Sequence, residues 1–376
     1  MQNDSKGNIA IIGASFHQLP LINRAKEMGY TTHVFAWADD DVGEKAADYF
    51  YPISIIDKDE ILAKCKEIGI DGICSIASDL AVVTVNYVAN KLGLVGNSPE
   101  STEKSTNKHL MRLAFEKNGD PSPKSVLVDS ESDLNNIDIT YPVIVKPTDR
   151  SGSRGIRKLN SAENLRDAVD AAIEQSLEKK ALIEEYAEGK EYSVEYVSFK
   201  GKHTFLAVTE KSTTGPPRFI ETGHLEPAPI SAELTDKIKK VVEHALNTLE
   251  IENGASHSEI KIDDAENIKI IEIGGRMGGD CIGSDLVMYS TGFDFVRMVI
   301  QIACGDEPDF TPVCEPFPVE SVFIFNQEDL DKFNYIQDNE PDRIIRIVDM
   351  DLDLMGNTTD SSNRAGCYVI RHKDEQ

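Results

Sequence analysis

In IEIGGRMGG, residues 271 to 279, isoleucines flank Glu272, a glycine cluster closes the run, and Arg276 sits inside that cluster. A carboxylate buried without a partner costs several kcal/mol or gives up its charge, so Glu272 calls for one. The longer stretch SHSEIKIDDAENIKIIEIGG is patterned as a hairpin with Asp263 to Asn267 as its turn. Glu259 and Glu272 then face each other across the ladder. Adjacent carboxylates repel unless a cation joins them. Mg2+ suits the pair, since it takes one or two protein carboxylates and completes its shell with water and phosphate oxygens. The plainer reading is a salt bridge from Glu272 to Arg276 or Lys261. On the metal reading, Arg276 is left to grip a substrate carboxylate and to stabilise charge developing in acyl transfer.

A second constellation is VIVKPTDRSGSRGIRKL, residues 143 to 159. Lys146 directly follows a β-branched run, and Ser151, Gly152, Ser153 and Gly155 form a turn flanked by Arg150, Arg154 and Arg157. Successive N–H groups in such a turn bind anions, which predicts a flexible lid over phosphates. The alternative is a solvated hairpin whose charges serve solubility. Further on, ALIEEYAEGKEYSVE runs apolar into paired carboxylates and re-enters a strand. A strand leaving a sheet there offers backbone N–H and C=O groups to an adenine edge, and Glu191 suits ribose hydroxyls. A glutamate-rich surface loop is the competing reading. His224 and His257 are candidate substrate contacts, although a lone histidine is more often structural. Cys281 is read as packing rather than as a nucleophile.

The elements that must position these groups fall into two styles. From "NIAIIGAS" to Leu94, short β-rich runs alternate with amphipathic helices, which predicts a parallel sheet covered by helices on both faces. Its glycine turn GASFHQ lacks the G-x-G-x-x-G fingerprint of dinucleotide sites, so this part is expected to serve the substrate side, with Ser78 and Asp79 at a strand end. NSPESTEKSTNKHLMRLAFEKNGDPSPKSV reads as one capped helix and a Pro-punctuated link. Beyond it the strands read as antiparallel, with STTGPPRFIETGH as a loop and a helix near AELTDKIKKVVEHALNTL. The last seventy or so residues suggest short strands and carry no legible chemistry.

Composition narrows the partners. A chain of 376 residues has room for roughly two or three units. No apolar run approaches the roughly 20 residues of a membrane helix, and the polar start MQNDSKGN lacks a secretory pattern, so the cytoplasm is expected. The six cysteines show no CxxC or zinc-like spacing, which favours reduced thiols. A net charge of -26 repels nucleic acid and anionic lipid, so a phosphate ligand needs a local cationic cluster.

Taken together, Lys108 in NKHLMRLAFEKNGDPSP, VIVKP, the Ser/Gly loop, LIEEYAEGKEYSVE and HSEIKID…IEIGGRMGGD resemble the ATP-grasp carboxylate-amine ligases over about residues 8 to 305. The order of five motifs is far more specific than any one of them. The resemblance leans to the branch holding L-amino-acid ligases and the carbamoyl-phosphate synthetase large subunit. It implies an α/β and α+β chain: a Rossmann-like parallel-sheet domain over 1–97, a two-lobed ATP-grasp domain over 98–305 with lobes at about 120–185 and 186–305, and a β-rich segment over 306–376. It also implies ATP with Mg2+ or Mn2+. Lys108, Lys146 and Ser151 to Gly155 would meet the phosphates, with Lys146, Arg154 and Arg276 in catalytic roles. Glu184, Glu185 and Tyr186 would border adenine and Glu191 ribose. Glu259 and Glu272 would hold the metal, and Arg276, His257, His224 and Gly279 would face substrate. Many such enzymes carry Asn where this chain has Gly274, which points to looser holding of a second metal. The implied reaction joins a carboxylate to an amine, amino acids among them, through an acyl phosphate. A bicarbonate-using enzyme and a non-catalytic ATP module are the alternatives, and a homodimer is a further expectation.

Overall fold

The computed structural model describes residues 5–150, 154–216, 219–361 and 363–373. The first sheet is built from β1 (Gly7–Ile12), β2 (Tyr30–Phe35), β3 (Tyr49–Tyr51) and β4 (Gly72–Cys74), with α1 (Leu19–Glu27), α2 (Val42–Ala46), α3 (Lys58–Ile68) and α4 (Asp79–Leu92) between and after them. Its order is β3-β2-β1-β4 and every pairing is parallel. Ile9, Ile11 and Ile12 are 0% exposed, as a strand covered on both faces requires. Ser78 caps α4 by accepting the Ala81 N–H, which leaves Asp79 as the first helical residue just past the carboxyl end of β4. Ligands of open parallel sheets gather at that edge.

The stretch expected to form one helix forms two, α5 (Pro99–Thr106) and α6 (Lys108–Asn118). Asn107 makes the break. It ends α5 in an extended conformation and its side chain accepts the His109 and Leu110 N–H groups as the cap of α6. Lys108 thereby becomes the first residue of a helix, and the i, i+4 spacing sets Arg112 on its face.

A small antiparallel sheet follows, from β5 (Ser125–Val128), β6 (Val143–Pro147), β7 (Arg157–Leu159) and β8 (Ala181–Glu185), in the order β5-β8-β6-β7. Helix α7 (Leu165–Gln175) packs on it through Leu165, Ala168, Val169 and Ala172.

The large sheet takes β9 (Lys190–Phe199), β10 (Lys202–Thr213), β11 (Glu221–Glu226), then α8 (Ala232–Thr248), β12 (Gly254–Ile262) and β13 (Ile268–Gly274). Lys200 and Gly201, both at positive φ, make the tight turn between β9 and β10. Glu221–Glu226, whose first four residues were expected in a loop ending at His224, is a strand because it pairs with β10 on one side and with a C-terminal strand on the other. After α9 (Val287–Thr291) and α10 (Phe295–Ala303) come β14 (Val319–Ile324), α11 (Gln327–Asn339), β15 (Ile344–Met350) and β16 (Gly366–Arg371). The eight strands run β13-β12-β9-β10-β11-β14-β16-β15, all antiparallel, so the C-terminal strands extend the same sheet. No single helix among the described residues is long and apolar enough to cross a membrane.

Candidate functional site

One cleft lies between the small and large sheets, lined by Lys108, Lys146, Arg150, Glu184, Tyr186, Glu191, Phe219, His257, Glu259, Lys261, Glu272, Gly274 and Arg276 among others. Glu259 and Glu272 are register partners across β12 and β13, at a bulge that follows Glu259. Each is balanced by its own lysine. Lys108 Nζ lies 2.7 Å from Glu272 Oε1 and also donates to the Arg150 carbonyl at 2.7 Å. Glu272 therefore takes Lys108 as its ionic partner rather than Arg276 or Lys261. Burial works against the Lys108 ammonium, yet Glu272, with Asp79 and Glu259 behind it, holds the lysine above its usual range.

Lys211 of β10 serves Glu259 at 2.7 Å and Glu191 at 3.1 Å, with Glu221 at 3.7 Å. Its pKa stands well above the ordinary lysine value: burial opposes the charge, but Glu259, Glu191 and Glu221 more than compensate. Glu259 is correspondingly held well below the carboxylate range, with Lys211 and His257 overcoming the cost of burial. Sequence reasoning passed over Lys211, although Lys211 and Lys261 flank Glu191 in register on β10 and β12. The available signal was the hairpin register itself, which from the Lys200–Gly201 turn sets Lys211 opposite Glu191.

Lys146, near the end of β6, contacts Glu184 at 2.7 Å, and Arg112 reaches the same carboxylate at 2.9 Å. All three are nearly fully buried. Burial raises Glu184 and is outweighed by Arg112 and Lys146, which hold it low; burial pushes Lys146 down, with Glu184 opposing. Arg112 was the other omission, detectable from its place one turn after Lys108. The backbone N–H groups of Glu185 and Tyr186 are already given to the carbonyls of Lys124 and Pro142. The expected free donors at this strand exit are thus spent on the small sheet. Lys158 sits 3.3 Å from the centroid of the Tyr186 ring, with Lys261 at 4.7 Å.

On the far side, His257 hydrogen-bonds Glu195 through Nδ1, and its Nε2 is 3.6 Å from Glu259 Oε1. Burial lowers its pKa, but Glu195 and Glu259 together raise it to about 9, which favours the cationic ring at neutral pH. Arg276 gives its Nε and Nη2 to Asp79 at 2.8 and 3.1 Å. This guanidinium, expected to be unengaged, is thus held from the first sheet.

The remaining sequence candidates lie elsewhere. Ser151, Gly152 and Ser153 fall outside the described residues. Arg154 is exposed and Gly155 has φ +70. Gly279 lines a smaller hollow beside His17, Ala77, Asp280 and Arg346. His224 is 2% exposed, neither ring nitrogen is hydrogen-bonded, and burial lowers its pKa. Its Nε2 is 3.7 Å from Asp280, which Arg364 of the C-terminal segment holds with both terminal nitrogens. Chemistry thus reaches the C-terminal strands, where sequence showed none.

The donor set fits magnesium. No group of three metal-ligating side chains occurs among the described residues, so a cage built from protein alone is absent there. Two facing carboxylates beside two buried lysines match an ion that draws its other ligands from phosphate and water. Mn2+ accepts the same oxygen donors.

Comparison with known proteins adds a domain match and several likenesses. Residues 139–285 match the family model described as an ATP-grasp domain. Alanine–anticapsin ligase of Bacillus subtilis (strain 168) is 24% identical, over 86% of this chain and 76% of that protein. Among solved structures, an L-amino acid ligase from Bacillus licheniformis superposes with TM-score 0.80 at 21% identity, covering 99% of this chain and 95% of that one. Phosphoribosylglycinamide synthetase from Anaerococcus prevotii superposes with TM-score 0.77 at 22% identity, covering 97% and 94%. At these identities the structures speak for the fold. Lys146, Glu184, Glu259, Glu272 and Arg276 all lie inside the span, residues 139–285, that matches the ATP-grasp domain.

Proposed function

We propose that this chain consumes ATP to join a carboxylic acid to an amine, amino acids among them, through an acyl phosphate. The observation that carries the reading is the facing pair Glu259 and Glu272 in a cleft that also holds Lys108, Lys146 and Arg276. Glu259 and Glu272 would hold Mg2+, which when bound supplies positive charge to the phosphate oxygens. Lys108 and Lys146 are the phosphate contacts, with Ser151 to Gly155 and Arg154 assigned to the covering loop. Glu184, Glu185 and Tyr186 border the base and Glu191 the ribose, while Arg276 and His257 face the acid. His224 and Gly279, expected to face substrate, lie outside this cleft and are given no role in it.

In outline, a carboxylate oxygen of the acid attacks the terminal phosphorus of ATP, and the bond to ADP breaks. The amine nitrogen then attacks the acyl carbon, phosphate leaves, and the nitrogen gives up a proton. The chain contributes position and charge balance, because phosphoryl transfer offers little covalent work to side chains. Arg276 and the His257 cation neutralise the acid's charge, and closure over the phosphates excludes water from the acyl phosphate. The same reading divides the chain into residues 1–97, 98–305 and 306–376.

The test is trapping. Purified chain, MgATP, hydroxylamine and individual amino acids should give a hydroxamate together with ADP. ADP release elicited by bicarbonate and by no organic acid would replace this reading with a carboxylase-type one.

A further inference from the structure

Gly274 closes β13, and its φ is not among the positive values found at other glycines, so its backbone makes no demand for glycine. Space does. A Cβ at this position would lie 2.9 Å from Asp79 Oδ1 and 3.2 Å from Arg276 Nε. Glycine at 274 therefore admits the carboxylate that binds Arg276.

The form of that contact matters. A guanidinium carries five N–H donors. Asp79 takes Nε–H and one Nη2–H, and the Met277 carbonyl takes one Nη1–H at 3.3 Å. One Nη1 and one Nη2 hydrogen remain on a side chain that is 15% exposed and lines the cleft. Glu272 and Glu259 attract the same guanidinium. Without a competing carboxylate it would be drawn toward them and away from any incoming acid.

We propose that Asp79 is the positioning residue for Arg276: it fixes the Nε edge, keeps the guanidinium off Glu259 and Glu272, and leaves the outer hydrogens for a substrate oxyanion, with glycine at 274 required for the arrangement. This rests on the reading of Arg276 as facing the acid. It makes the first sheet, through the start of α4, part of the substrate end of an ATP-grasp site.

Two readouts on the full chain test it. The first needs no substrate: the rate at which phenylglyoxal modifies Arg276, followed by peptide mass spectrometry. Asp79→Ala should raise that rate at least tenfold, and Gly274→Ala, which keeps the carboxylate but crowds it, at least threefold, with other arginines within twofold of wild type. The second is hydroxamate formation with L-alanine as the probe acid. Both variants should raise KM for L-alanine at least tenfold and leave KM for ATP within twofold, a split that general loss of structure would not produce. Unchanged Arg276 modification in both variants overturns the proposal, as does equal elevation of both KM values. Wild-type chain that forms no hydroxamate with L-alanine counts against the proposed function with that acid, and the modification rates still decide on Asp79.

Discussion

Glu259 stands opposite Glu272 across the β12–β13 ladder, and each carboxylate meets a different buried lysine at 2.7 Å, Lys211 for the first and Lys108 for the second. Charge at the cleft is thus balanced without a metal. Anything that removes one member exposes its partner's cost.

Glu272→Gln leaves the Lys108 ammonium, whose side chain is 6% exposed, facing a neutral amide. The protein without metal or nucleotide should lose about 1–3 kcal/mol, less than a fully buried pair because Glu272 keeps some water contact. Turnover should collapse. Denaturant melts of Glu272→Gln, Lys108→Met and the double variant give the coupling directly, and additive effects would contradict the pairing.

Lys211→Met removes the one ammonium shared by Glu191, Glu221 and Glu259. Stability should fall by about 2–4 kcal/mol. A divalent cation can replace part of the lost charge, so millimolar Mg2+ should raise the melting temperature of this variant more than that of wild type. Equal Mg2+ responses would mean that Glu259 is not open to the ion.

Removal of magnesium tests the cleft as a whole. ADP would bring its phosphates beside Glu259 and Glu272, whose own charges are already matched by Lys211 and Lys108, so the added negative charge calls for a further cation. Calorimetric titration in EDTA should therefore give ADP affinity at least tenfold weaker than in Mg2+. Affinity independent of the metal would remove Glu259 and Glu272 from the nucleotide site.

Glu226 predicts a pH dependence away from the cleft. It is fully buried, accepts hydrogen bonds from Thr209 and Ser290, and burial raises its pKa to about 8. A carboxyl raised in the folded state stabilises fully below its unfolded value near 4.5, and that contribution is lost as pH climbs through about 8. Wild type should therefore lose up to roughly 3–5 kcal/mol relative to Glu226→Gln between pH 5 and 9. Parallel stability profiles for the two proteins would show that Glu226 ionises normally.

Alternation and turn residues act over a few positions, so much of the frame was legible in the chain itself. The parallel βαβ series before Leu94, the Lys200–Gly201 turn, and the hairpin that sets Glu259 against Glu272 all follow from local pattern. Lys146 at a strand end and Arg276 in a glycine run were visible for the same reason. Tertiary structure alone decided the ionic partners. Lys108 meets Glu272 across 164 positions and Asp79 meets Arg276 across 197, distances over which spacing carries no information. Those contacts depend on how α6 and the start of α4 dock against the end of β13. Glu221–Glu226 became a strand only because β10 and β14 lie on either side, and Arg364 reached Asp280 only because β16 extends the same sheet. Side-chain charge in a low-dielectric cleft is satisfied by whatever packing brings near, and packing is a property of the whole chain.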